Sequence, residues 1–339
     1  MTEKGDDEQM KSSSNNKFYF DYFFPIEKIP VVDVTDTARI ENFVNNGKPV
    51  VIKNTNLVES ACRNWTLKYL KEHLTTDTYH VFRATSSRFM YWDDKKMSDV
   101  KNFKKPSESL KMSFQDFLDA IENPKPEQAG YKYYLQQSLN GTVSKKIIED
   151  FSGFNWKWVL EQAKKAKWGT LSSNLLLIGE PENVTPVHYD EQENFFAQVD
   201  GHKRCILFSP EMFKSLYPFP VSHPCDRQCM VDLRNPDFFR FPKLKEVKGC
   251  EAIVGPGDVL YIPCYWFHQI ESLEKITISV NFWFLARSLA GNEIKYPLSA
   301  EQKNAIMRNI EKMVATAIAN TGELPEFFQT LTLGRYTTY

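Results

Sequence analysis

Between residues 130 and 285 the chain is written as short β-prone runs, at 133–135, 174–178, 195–199, 205–208, around Ile253, and at 259–262 and 276–284. Glycine, proline and polar turn residues separate them. No run of this length buries a face alone. Many such runs with closely spaced turn signals close into a sandwich or barrel, and a double-stranded β-helix, the jelly roll, is one solution. The expected fold is mainly β with flanking helices. The reading divides it into a disordered tail (1–17), an α/β lead-in (18–129), a jelly-roll core with an insert (130–298) and a C-terminal helical pair (299–339).

Outside the β-rich region the signals are of other kinds. Residues 49–52, entered through Gly47, and 79–82 read as strands. Ser113 and Asp116, with Phe114, Phe117, Leu118 and Ile121 at helical spacing, predict a helix ending near Pro124. Residues 154–168, with Trp156, Trp158 and a lysine-rich face, predict a helix beside the core. Ser299 and Gln302 form a capping box ahead of Ile306, Ile310, Met313 and Ala317, and Leu324, Phe327, Phe328 and Leu331 repeat the spacing. These two amphipathic helices either cover the core or form a dimer interface. The aromatic run 18–24 reads as tucked onto the core or as a docking element.

Composition narrows the partners. The 42 basic and 43 acidic residues leave a net charge of -1, so bulk electrostatics attract neither nucleic acid nor an anionic membrane. The amino terminus has no apolar signal core, and no apolar run is long enough for a membrane span. Six cysteines scattered over 339 residues lack the density of a disulfide scaffold. The expected setting is the reduced cytoplasm or nucleus.

The chemistry concentrates in Val184-Thr185-Pro186-Val187-His188-Tyr189-Asp190. On a strand, His188 and Asp190 point to one face and can share an ion. Alone the pair is weak, and a satisfied histidine is the commoner reading. It gains weight from the turn Gly255-Pro256-Gly257-Asp258, which launches Val259-Leu260-Tyr261-Ile262-Pro263 and is followed by Trp266-Phe267-His268. A distal histidine completes a two-histidine, one-carboxylate facial triad, whose open positions suit non-haem Fe(II) oxygenases. Lys203, just past Gly201, supplies a cation for the far carboxylate of 2-oxoglutarate. As a bare lysine it would be a solvated strand residue.

The stretches HYDEQ, NFFAQ, KRCILF and GPGDVLYIP followed by Trp266-Phe267-His268 resemble the JmjC oxygenases of the cupin type, and among them the asparaginyl hydroxylases that act on hypoxia-inducible factor. The resemblance runs over roughly residues 18–336 and includes NFVNNGKPVVIKNTNLV, SHPCDRQ, NPDFFRFP and AIMRNIEKM. It implies that His188, Asp190 and His268 bind Fe(II). It implies also that Lys203, Tyr134 and Thr185 hold the distal carboxylate of 2-oxoglutarate, with Asn194, Asn281, Leu177 and Trp283 around the co-substrate. Arg227 and Gln228 would contact the target carboxamide, and Tyr91 and Gln136 would line the peptide path. The implied activity couples oxidative decarboxylation of 2-oxoglutarate by O2, with ascorbate as reductant, to hydroxylation of the asparagine β-carbon. The implied protein substrates are the hypoxia-inducible factor alpha subunit and ankyrin-repeat proteins, an oxygen-dependent brake on transcription, and the implied assembly is a homodimer through the C-terminal helices.

Departures from that pattern are Val187, Phe267, Gln269 and a shortened loop after Leu273; Gln269 and the loop are expected near the metal, altering oxygen affinity or substrate tolerance. Rival readings are a JmjC oxygenase of another substrate, such as a methyl-lysine demethylase, against which SHPCDRQ argues, and a non-catalytic cupin-like binding module. His223, Cys225 and Cys229 have residue types that suit zinc but lack a paired fourth ligand. His73, His80 and His202 read as ordinary histidines.

Overall fold

The computed structural model describes residues 19–74, 78–100, 102–139, 144–287, 294 and 296–332. The tail 1–17 and Phe18 lie outside them. In chain order the strands are β1 (Ile26–Lys28), β2 (Val31–Asp33), β3 (Val50–Lys53), β4 (Tyr79–Ala84), β5 (Glu108–Met112), β6 (Lys132–Ser138), β7 (Leu171–Gly179), β8 (Val184–Tyr189), β9 (Gln192–Asp200), β10 (Lys203–Phe208), β11 (Gly249–Val254), β12 (Val259–Ile262), β13 (Phe267–Ser272) and β14 (Thr277–Leu285). The α-helices are α1 (Thr37–Asn45), α2 (Glu59–Asn64), α3 (Leu67–His73), α4 (Phe114–Glu122), α5 (Lys145–Ser152), α6 (Trp156–Lys165), α7 (Phe213–Leu216), α8 (Ala300–Ile318) and α9 (Leu324–Thr332). Among the described residues no helix is long and apolar enough to cross a membrane.

Two sheets face each other. One runs β1-β11-β10-β13-β8 and the other β2-β3-β12-β9-β14-β7-β6-β4-β5. From β7 to β14 the chain passes back and forth between them, which makes the eight central strands a jelly roll. The earlier strands extend its edges: β2 and β3 add at one end of the larger sheet, β6, β4 and β5 at the other, and β1 joins β11 in parallel. The segment between β10 and β11 is the insert that carries SHPCDRQ.

Three apolar layers hold this together. Val51, Leu177, Phe196, Leu260 and Ile262 meet Cys205, Leu207, Val254 and Ile270 between the sheets. On the outer side of the larger sheet, Phe195, Ile278, Val280 and Phe282 pack under the helices, with Trp156 5.5 Å from Phe282 and Trp158 5.3 Å from Phe195 by ring centroid. Val187, Tyr189, Ile206, Phe208 and Phe267 face the insert through Leu216, Val231, Leu233 and Phe241. β10 and β12 are buried on both faces, so their burial shows no alternation.

The flanking helices follow their caps. Ser113 Oγ accepts from the Asp116 amide at 3.0 Å, and the Ser299–Gln302 capping box closes in both directions. The orientation of α8 excludes the core-covering reading for its apolar stripe: Ile306, Ile310 and Met313 are exposed, and in α9 so are Phe327 and Leu331. In the aromatic run, the Tyr19 ring stacks on the buried Arg204 guanidinium at 3.9 Å and Phe24 is buried.

Candidate metal centre and its pocket

His188 and His268 sit directly opposite each other on the antiparallel pair β8–β13, with ring centroids 4.1 Å apart. Asp190 lies just past the end of β8 on the same inward face. One ligand atom from each of the three falls within 4.8 Å of the other two, the single such group among the described residues. The His188 Nδ1 lies 2.8 Å from the Pro186 carbonyl and the His268 Nδ1 3.0 Å from that of Trp266. A carbonyl only accepts, so each Nδ1 donates its proton outward and each Nε2 keeps a lone pair for a metal.

The electrostatics agree. Burial, and for His188 the facing His268, push both imidazoles below their ordinary range and keep them neutral. Burial opposes the Asp190 charge, but the Arg227 guanidinium and the Trp283 hydrogen bond work against it, and the carboxyl is held below the usual range. Trp283 Nε1 donates to Asp190 Oδ2 at 3.1 Å and Arg227 Nη1 to Oδ1 at 3.0 Å.

A cavity of about 390 Å³ opens onto the triad. Tyr91, Tyr134, Gln136, Leu177, Thr185, Asn194, Arg227, Gln228, Asn281 and Trp283, all singled out by the family resemblance, line it with His188, Asp190 and His268. Lys203 differs: it lies behind the wall, 1 % exposed, its Nζ 5.6 Å from the Tyr134 ring centroid and 5.5 Å from that of Phe196. Its hydrogen-bond partner among the described residues is Ser279 Oγ, at 2.8 Å. Burial without a carboxylate partner pushes the ammonium down to about 7. Sequence reasoning missed Ser279, although two residues before Asn281 on a strand is the same inward face. It also missed Phe196, Ile262 and Ile270, which close the cavity.

The departures sort by strand alternation. Val187 and Phe267 point away from the metal into the outer layer. Gln269, expected near the metal, does the same: its Nε2 donates to the Tyr22 hydroxyl at 2.6 Å and to Glu271 Oε1 at 2.8 Å on the opposite face. His223 Nδ1 accepts from the Cys225 amide at 3.0 Å and its ring stacks on Phe219, so it serves the local turn.

The residues fit the metal and co-substrate that such a site implies. Two neutral imidazole nitrogens and a carboxylate on one face suit Fe(II). The buried acceptors Asn194 Oδ1, Asn281 Oδ1 and Gln228 Oε1 have no partner among the described residues, and the buried Lys203 amine would be stabilised as a cation by an anion.

The sequence matches the family described as Cupin-like domain over residues 36–289. Among similar proteins, Lysine-specific demethylase 8 of Danio rerio is 42% identical over 263 residues, 77% of this chain and 59% of the relative. HSPB1-associated protein 1 of Homo sapiens is 28% identical over 235 residues, 65% of this chain and 44% of the relative. Lysine-specific demethylase JMJ30 of Arabidopsis thaliana is 37% identical over 173 residues, 51% of this chain and 38% of the relative. The chain thus spans about half the length of the curated relatives it matches. With a jelly-roll core, an inward-facing histidine, aspartate, histidine group and a match over most of its length, the chain belongs to the cupin-like domain family, JmjC type.

Proposed function

We propose that the protein is an Fe(II)- and 2-oxoglutarate-dependent dioxygenase that hydroxylates the β-carbon of asparagine in protein substrates. The observation that carries this reading is the convergence on one cavity of the triad, the wall backed by Lys203, and the turn bearing Arg227 and Gln228. His188, Asp190 and His268 would hold the metal. Lys203, with the Tyr134 and Thr185 hydroxyls, would neutralise the far carboxylate of the co-substrate. When bound, the iron and 2-oxoglutarate supply the oxidising chemistry that side chains lack.

The chain's own contribution is positioning and exclusion of water. Asn194 and Asn281 offer unfilled hydrogen-bonding capacity to a ligand, while Leu177, Phe196, Ile262 and Ile270 keep the floor dry. Gln228, 2 % exposed with its Oε1 unpaired, can accept from a carboxamide N–H, and the Arg227 fork can donate to the carboxamide oxygen. A carboxamide suits both; an apolar side chain leaves the buried Gln228 Oε1 unpaired.

Methyl-lysine demethylation is the second reading, favoured by the names of two relatives. A cationic methyl-ammonium entering past Arg227 meets a like charge, which argues against it. A non-catalytic module is the third. By the sequence resemblance, the protein substrates are the hypoxia-inducible factor alpha subunit and ankyrin-repeat proteins, met in cytoplasm and nucleus. The exposed apolar side chains of α8 and α9 support a homodimer through these helices.

The test is incubation with Fe(II), ascorbate, 2-oxoglutarate and oxygen, with and without an asparagine peptide from that transactivation domain, reading peptide mass and succinate. One added oxygen on asparagine is expected, abolished by Asp190→Ala and weakened by Lys203→Ala. Succinate without peptide modification rejects the substrate, demethylation of a methyl-lysine peptide favours the second reading, and no turnover at all favours the module.

A further inference from the structure

Helix α8 docks in an unusual sense for an amphipathic helix. Ile306, Met307, Ile310 and Met313 are exposed, whereas its buried residues are Asn304, Arg308 and Val314. Burial of apolar surface therefore contributes little to its placement, and directional polar contacts set it. Asn304 Nδ2 donates to the Pro210 carbonyl at 2.8 Å, Glu311 Oε1 accepts from the Val221 amide at 2.8 Å, and Lys312 Nζ meets Glu191 Oε1 at 2.9 Å.

Arg308 is the centre of this face and is 5 % exposed. Its Nη1 and Nη2 grip both oxygens of Asp226, at 2.6 and 2.8 Å. Its Nε lies 3.0 Å from Glu191 Oε1, and Nη1 donates to the Tyr189 hydroxyl at 3.3 Å. Asp226 immediately precedes Arg227 and Gln228. Tyr189 and Glu191 flank Asp190. One guanidinium thus ties the turn lining the cavity to the end of β8, on either side of Asp190.

The turn needs holding. Arg227 has φ +69, in the left-handed region that non-glycine residues rarely adopt. Backbone bonds secure its far side: the Tyr189 amide donates to the Arg227 carbonyl at 3.1 Å and the Cys229 amide to the Val187 carbonyl at 2.9 Å. On the near side Asp226 is held by Arg308 and by Lys96 Nζ at 3.0 Å. Lys96 is a point charge that leaves the carboxylate free to rotate, whereas the two-pronged arginine contact fixes its plane.

We propose that Arg308 is a positioning residue for peptide recognition, holding the Arg227–Gln228 turn over the cavity through Asp226 and registering it against Asp190 through Tyr189 and Glu191. The role deepens the hydroxylase reading and rests on it for the peptide. Arg308 itself does not line the cavity.

The experiment uses the full chain with Arg308→Lys, which keeps the charge and loses the fork, and Asp226→Asn, alone and together. Amide hydrogen exchange is followed across residues 221–229 and across β9 and β14, alongside the KM for the asparagine peptide and for 2-oxoglutarate. In Arg308→Lys we expect faster exchange at 226–229 with β9 and β14 unchanged, a rise of roughly tenfold or more in peptide KM, and a 2-oxoglutarate KM within about twofold of wild type. The double variant should lose less than the sum of the two single losses, because the Arg308–Asp226 contact is common to both. Unchanged exchange and peptide KM overturn the proposal, as does an equal loss for peptide and co-substrate with faster exchange in β9 and β14, which would make Arg308 a general support of the fold. If the wild type modifies no asparagine peptide, the hydroxylase reading fails by itself; exchange at 226–229 then still decides whether Arg308 holds the turn.

Discussion

Lys203 and Glu193 are ionisable groups with opposite pH consequences. For Lys203, burial lowers the folded value from 10.5 to about 7. Between those values the unfolded chain holds a proton that the folded one has released, so stability without co-substrate rises with pH across the window. Lys203→Met should remove that slope, measured as urea unfolding free energies at about pH 6.5 and about pH 9. A carboxylate placed against Lys203 returns the proton, so 2-oxoglutarate binding above neutrality should show proton uptake as a buffer-dependent heat. Glu193 is buried, and its value rises from 4.5 to about 7 although Tyr261 and the Cys264 amide donate to it at 2.8 and 3.1 Å. Here the folded chain keeps a proton that the unfolded one has lost, so stability falls as pH climbs from 4.5 to about 7. Glu193→Gln retains an acceptor for both donors and should flatten that part of the stability–pH curve. At this scale the sequence was informative about ligand identity: His188 and Asp190 share a strand face whatever the strand pairs with. For Ser279 it offered only a place on the Asn281 face of a strand; the contact with Lys203 comes from the tertiary structure.

Elements announced by end signals were legible. Ser113 and Ser299 mark α4 and α8 because a side-chain oxygen satisfying a free helical amide is a local event. Ser299→Ala should cost about 1 kcal/mol in the first turn of α8 and speed amide exchange there, leaving the jelly-roll strands unchanged. The short helices α2 and α3 were not anticipated. Glu59–Asn64 is six residues long with no side-chain cap, too short to display a periodic face, and it is helical because Ala61 and its neighbours pack beneath β9. Strand β13 was missed for another reason: Phe267–Ser272 is buried throughout, and its histidine, glutamine, glutamate and serine disguise a buried strand, with Gln269 Nε2 donating to Tyr22 and Ser272 Oγ bonded to Thr277.

For the whole molecule, the density of short strands pointed to a sandwich or barrel, of which the double-sheet jelly roll is one, but did not show the sheet to which each strand belongs. The orientation of α8 and α9 was equally undecided, because an apolar stripe on a helix serves a core and an interface alike. With Ile310 and Met313 exposed, Ile310→Glu on the full chain is expected to convert the proposed dimer to monomer in sedimentation, with the monomer's thermal midpoint little changed because the side chain leaves no core cavity.

The sequence by itself marked candidates for the site: a histidine and an aspartate two apart, a distal histidine behind a tight turn and a lysine after Gly201; the Arg227–Gln228 pair stood out only through the family resemblance. Those signals survive because side-chain chemistry and strand period are properties of a few consecutive residues. Tertiary structure alone decided that His268 lies across from His188, that Lys203 stands behind the wall against Ser279, that Gln269 faces away from the metal, and that Arg308 joins the turn to the strand. In strands buried on both faces hydrophobicity no longer alternates, so inward and outward are set by pairing register and sheet stacking, and contacts between distant segments exist only once those are formed.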